Sequence, residues 1–101
     1  MEREGTTMQQ QIEELLSAEA PTLARLEDTL TEGYAQALAL EAERWRLERR
    51  LGEVAREGRA DAGDELRSLG VRLTYADGEL TKLRSLLGTL HERARAARSR
   101  S

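Results

Sequence analysis

The groups in this chain that could do chemistry are few, and their spacing does not suit it. His91 is the single histidine; it stands beside Glu92 in an arginine-rich segment. A transition-metal site built on imidazole needs further imidazoles, thiolates or carboxylates converging on one point. No second His stands at i+4 and there is no Cys. The carboxylates Glu41, Glu43 and Glu48 alternate with arginines at helical spacing. Glu41–Arg44, Glu43–Arg46, Glu53–Arg56, Glu79–Lys82 and Glu92–Arg95 are all i,i+3 pairs, the pattern of a solvated helix face. A ferritin-type iron site would need Glu-x-x-His facing a bundle interior, and that is missing. One histidine and scattered serines make no Ser–His–Asp set. Neither GxxxxGK[ST] nor GxGxxG occurs. The sequence therefore predicts a protein that is not an enzyme and carries no metal or cofactor.

The chemistry that remains is recognition. In "LALEAERWRLERRL", Leu38 to Leu51, leucines recur at helical spacing around Arg44 and Trp45, the only tryptophan. Tryptophan is enriched where binding energy concentrates. A basic residue on an apolar seam lays its aliphatic stem along the seam and can fix register or oligomeric state. Tyr34, Leu38 and Trp45, at spacings of four and seven, are apolar groups off the seam of one helix. Val71, Tyr75 and Leu86 play the same part on another. With Arg44, these six form the expected partner interface. A second candidate is the basic tail, where Arg93, Arg95 and Arg98 could meet an acidic surface. The tail has no aromatic group on which a base could stack.

These residues must be positioned by helices. Ala, Leu, Glu and Arg dominate and charged residues make up 35%, the composition of long helices and coiled coils. No run alternates with period two, so no strand is expected. On the first long helix the seam reads Leu23, Leu26, Leu30, Gly33, Ala37, Leu40, Arg44, Leu47, Leu51, Val54. It reaches back to Ile12, Leu16 and, less well, Glu19. On the second it reads Leu66, Leu69, Leu73, Ala76, Leu80, Leu83, Leu87, Leu90, Ala94, Ala97. Both follow the 3.5-residue repeat of a helix that meets another along its length.

Pro21 interrupts the first pattern. It lacks an N–H, so it belongs at a helix start rather than inside one. Thr6 or Thr7, each three residues before a Gln, could begin a short helix through a capping box. Gly58 suits the left-handed end of a helix, and Asp61 or Asp64 could cap the next. The stretch "GRADAG" offers no strong apolar anchor. The expected organisation is a disordered segment 1–7, one helical domain 8–98 with helices at about 8–19, 21–57 and 64–97, and a disordered tail 99–101.

Two helices of similar length with a short connection predict an antiparallel hairpin. Charge agrees. Residues 1–43 hold ten acids against two bases, and residues 44–60 hold six bases against three acids. Folded back at a sum near 120, Glu27, Asp28 and Glu32 fall near the arginines from Arg93 onward, Arg44 to Arg50 near Asp77 and Glu79, and Arg56 and Arg59 near Asp61, Asp64 and Glu65. A lone two-helix hairpin buries little surface for its chain entropy, so the expected fold is all-α, a coiled-coil-like hairpin dimerising into a four-helix bundle. A net charge of −3 argues against nucleic acid. No apolar run approaches the ~18 residues a membrane span needs, and the acidic, polar start has no secretory character. The expectation is a cytoplasmic protein–protein interaction module, an adaptor or assembly protein that homodimerises or meets a heterologous protein. The alternative is a small regulator that sequesters a partner, in the manner of an anti-sigma factor or export chaperone. A nucleic-acid- or nucleotide-binding module ranks below both.

Overall fold

The computed structural model of the chain describes residues 7–100. The expected disorder of residues 1–6 and 101, and the capping role open to Thr6, lie outside the described residues. Three helices follow in order: α1, Met8–Ser17; α2, Leu23–Glu57; and α3, Gly63–Arg100. No strand occurs among the described residues. The two long helices pack against each other as an antiparallel hairpin, as the seams predict.

The helix boundaries follow from local chemistry. Thr7 caps α1: its hydroxyl oxygen accepts from the Gln10 backbone N–H at 3.1 Å, and the Gln10 side-chain oxygen accepts from the Thr7 N–H at 2.9 Å. The capping box thus lies at Thr7–Gln10, and Thr7 belongs to the ordered helix start rather than to a disordered segment. α1 ends at Ser17, two residues short of the expected limit, with Ala18 extended. It is a helix separate from α2.

Pro21 does not occupy the first position of α2. Thr22 caps that helix, accepting from the Arg25 N–H at 3.1 Å through its hydroxyl and from the Leu26 N–H at 3.0 Å through its carbonyl. Proline steers the residue before it away from helical geometry, so it ends the connection, and the hydroxyl next to it starts the helix.

At the other connection Gly58 takes the expected left-handed conformation, φ 64°. The cap of α3 differs from expectation. Ala62, not an aspartate, precedes its first turn; its carbonyl accepts from the Leu66 N–H at 2.9 Å. Asp61 lies 3.8 Å from Arg59, and Asp64, inside the first turn, pairs with Arg67 at 2.9 Å. Ala62 is also buried, so the turn has an apolar anchor that its composition did not advertise. α3 continues to Arg100, through residues expected as a tail.

The chain divides into two compact units. One comprises the residues up to Ala37 and from Lys82 onward; the other is Leu38–Thr81. In the first unit three helices meet. Ile12 and Leu15 of α1, Leu26 and Leu30 of α2, and Leu83, Leu87, Leu90 and Ala94 of α3 are buried. Gly33 is closely packed: a Cβ there would collide with the Leu87 side chain and lie 3.7 Å from Ile12 Cδ1. Arg93 donates to the Leu16 carbonyl at 3.0 Å, satisfying an orphan acceptor at the end of α1.

The second unit contains two helices and their connection. Its core is Leu47, Val54, Ala62, Leu69 and Ala76, with Leu51, Leu66 and Leu73 packed against it. Burial rather than propensity holds α3 together. Gly70, Gly78 and Gly88 each cost about 1 kcal/mol relative to Ala. Each buried leucine on the seam contributes roughly 1.5–3 kcal/mol.

Candidate interaction face

Every residue of the α3 seam from Leu66 to Ala97 is buried or half-buried. Off the seam, Tyr34 (48%), Leu38 (67%), Trp45 (58%), Val71 (66%) and Tyr75 (69%) are exposed. Arg44 and Leu86 are half-buried. The candidate interface residues are therefore at the surface, but they do not all lie together. Tyr34 and Leu86 belong to the first unit; Leu38, Arg44, Trp45, Val71 and Tyr75 belong to the second.

Ion pairs show how the second unit is sided. On α2, Trp45 follows the seam residue Arg44 and Leu38 follows the seam residue Ala37. Arg44 reaches Asp77 at 3.3 Å and Glu48 at 3.7 Å. Asp77 likewise follows the seam residue Ala76. At 100° per residue, Leu38 and Trp45 thus share one edge of the unit with Asp77. The opposite edge is marked by Glu43–Arg72 at 3.6 Å and Arg50–Glu65 at 2.9 Å. Tyr75, one turn on from Arg72, lies on that opposite edge. Val71 points away from the seam between the two.

The two edges differ in chemistry. The Tyr75 edge carries an ion-pair lattice: Arg46–Glu43 at 2.9 Å, Arg50–Glu53 at 3.5 Å, and Glu65 held by both Arg50 and Arg59, the latter at 2.8 Å. Hydrogen bonds from Arg59 and then Arg50 hold the Glu65 carboxyl below the usual carboxylate range. Glu65 in turn raises both guanidinium pKa values. The Trp45 edge carries the Arg44–Asp77 and Arg44–Glu48 pairs close to the seam and small residues beside them. Between and beside Leu38 and Trp45 stand Ala42 and Gly52 on α2, and Gly70, Thr74 and Gly78 on α3. Space around Gly70 and Gly78 is open. The Arg49 guanidinium carbon lies 5.1 Å from the centre of the Trp45 ring, a cation–π contact that orients the indole without covering it. The i,i+4 spacing of Trp45 and Arg49 signalled this contact in the sequence. The sidedness needed the observed pairing.

The basic tail is engaged within the chain. Arg93 holds α1, Arg95 pairs with Glu92 at 3.7 Å, and Arg98 pairs with Glu27 at 3.0 Å. The last agrees with the charge matching expected between the chain's acidic start and basic end. A shallow cleft of about 300 Å³ is lined by Leu15, Ala18, Pro21 and Arg25 among others; it gathers no set of catalytic groups. Among the described residues no cluster of metal-ligating side chains occurs, and no helix is long and apolar enough to cross a membrane. Comparison with protein-family models, with curated proteins and with solved structures found no match.

Proposed function

We propose that this chain is a non-enzymatic helical interaction module, a coiled-coil-like hairpin that self-associates and works in the cytoplasm as an adaptor or assembly protein. One observation carries the reading: Leu38 and Trp45 stand exposed beside the small residues Gly52, Gly70 and Thr74, on the edge of the second unit opposite the Glu43, Arg46, Arg50 and Glu65 ion pairs. Exposed apolar groups gathered this way are typical of surfaces that meet another protein. The tail arginines support a protein partner over nucleic acid, because Arg93, Arg95 and Arg98 already face acceptors in their own chain. The lack of cysteines suits a reducing compartment.

The test is site-specific photo-crosslinking in cells, with the reactive side chain placed at position 45 or, as a control, at position 46 on the opposite edge. The expected result is a discrete protein adduct from position 45 and none from position 46. Equal labelling at both positions, or none at either, would remove the Trp45 edge as an interface.

A further inference from the structure

α1 is the short helix of the first unit, and neither long helix is built on it. It has 10 residues, fewer than the roughly 12–15 at which an isolated helix becomes marginal in water, so it is helical because it is seated. α2 starts on a cap of its own, Thr22, which accepts from Arg25 and Leu26. Between the two helices Ala18 is extended, φ −69° and ψ 145°. α1 can therefore leave the unit without breaking a backbone hydrogen bond of α2 or α3.

What α1 covers is apolar, and the seams show how much. In the second unit, where two helices pack alone, Arg44 and Leu51 of α2 and Leu66 and Leu73 of α3 are half-buried. The equivalent heptad positions of the first unit, Leu30 and Ala37 of α2 and Leu87 and Ala94 of α3, are buried. The third helix supplies the difference. Ile12 and Leu15 are buried, and Ile12 Cδ1 sits beside Gly33. Arg93 donates to the Leu16 carbonyl. Glu13 and Glu14 are exposed. Two buried side chains and one hydrogen bond are a light attachment for a helix.

We infer that the face beneath α1 is an acceptor for an amphipathic helix, that α1 is its built-in occupant, and that a partner protein's helix of the same chemistry displaces it. The seated segment states that chemistry. Two apolar residues stand three apart, the first entering beside Gly33 and Leu87. The helix then ends at a carbonyl that accepts from Arg93, whose charge suits the negative end of the helix dipole. This is the helix-in-groove mode of recognition. It belongs to the first unit and does not depend on the Trp45 edge.

The experiment opens the face and offers α1 back as a separate molecule. In Ile12→Asp an unpaired carboxylate opposes seating, so α1 should undock. Circular dichroism should lose the helicity of the 10 α1 residues and keep that of α2 and α3. The probe is a fluorescein-labelled peptide of residues 7–19, read by anisotropy. The opened chain should bind it at least about tenfold more tightly than the parent, whose face is occupied. Adding Arg93→Ala to the opened chain should weaken binding about tenfold. Collapse of α2 and α3 in the opened chain would make α1 a fixed part of the core and overturn the inference. Intact long helices with no gain in peptide binding would overturn the acceptor. A parent that sediments as a dimer and becomes a monomer on Ile12→Asp would seat the α1 of a second copy there and overturn the in-chain occupant.

Discussion

Gly33 and Gly88 are both glycines inside long helices of the first unit, yet replacing each with alanine should move stability in opposite directions. Helix propensity favours the substitution equally at both, by about 1 kcal/mol. Around Gly88 there is open space, so the gain is kept: about 0.5–1 kcal/mol of stabilisation. At Gly33 the new methyl meets the Leu87 side chain, which is 2% exposed and has little room to turn, beside Ile12 at 0%. Overpacking of this kind costs about 1–3 kcal/mol. The net at Gly33 is a loss of about 0–2 kcal/mol. In urea, with a slope of roughly 1–3 kcal/mol/M, the midpoints should separate by roughly 0.2–3 M, Gly88→Ala upward and Gly33→Ala downward. If Gly33→Ala stabilises as much as Gly88→Ala, the close approach of three helices at Gly33 is wrong, and with it the seat of α1.

Other perturbations probe other parts. Arg93→Ala should remove amide-exchange protection from α1 alone, since a charged hydrogen bond to a carbonyl is worth about 1.5–3 kcal/mol; equal loss in α2 and α3 would deny that Arg93 anchors α1. Leu83→Ala, at a fully buried site, should cost about 2–5 kcal/mol in chemical denaturation, and a loss under 1 kcal/mol would place Leu83 off the seam. Glu65 has its carboxyl pKa depressed by Arg59 and Arg50. Its contribution to stability is therefore present above the ordinary carboxylate pKa and is lost as pH falls through the depressed value. Glu65→Gln should flatten that part of the acid-unfolding profile, and an unchanged profile would show that the clamp does not couple to folding.

How much of this was legible beforehand depends on which forces act locally. The seams were readable because leucine spacing alone dictates which stripe a helix buries: Leu80, Leu83, Leu87 and Leu90 sit where the repeat puts them. Gly58 and the pairing of Arg44 with Asp77 were readable for similar reasons, one from backbone sterics and the other from antiparallel geometry. Boundaries set by competition were not. Thr22 took the cap that Pro21 suggested, and Ala62 took the place offered to Asp61 or Asp64, because a buried alanine anchors the turn. Nor was the division of the exposed apolar groups into two edges legible. Trp45 and Tyr75 are each one residue from a seam position but on opposite sides of it, a distinction fixed by the direction in which each helix runs. The pinning of Leu16 by Arg93 joins residues 77 apart, beyond any local pattern.

The proposed self-association places a second copy of the chain on the Trp45 edge. Molar mass by light scattering, read across concentration together with quenching of Trp45 fluorescence by iodide on the same samples, tests it most directly. The expected result is a mass that rises from one chain to two, with quenching falling in step. A mass of one chain at every concentration, or a rise to two chains with Trp45 quenched as before, would contradict it.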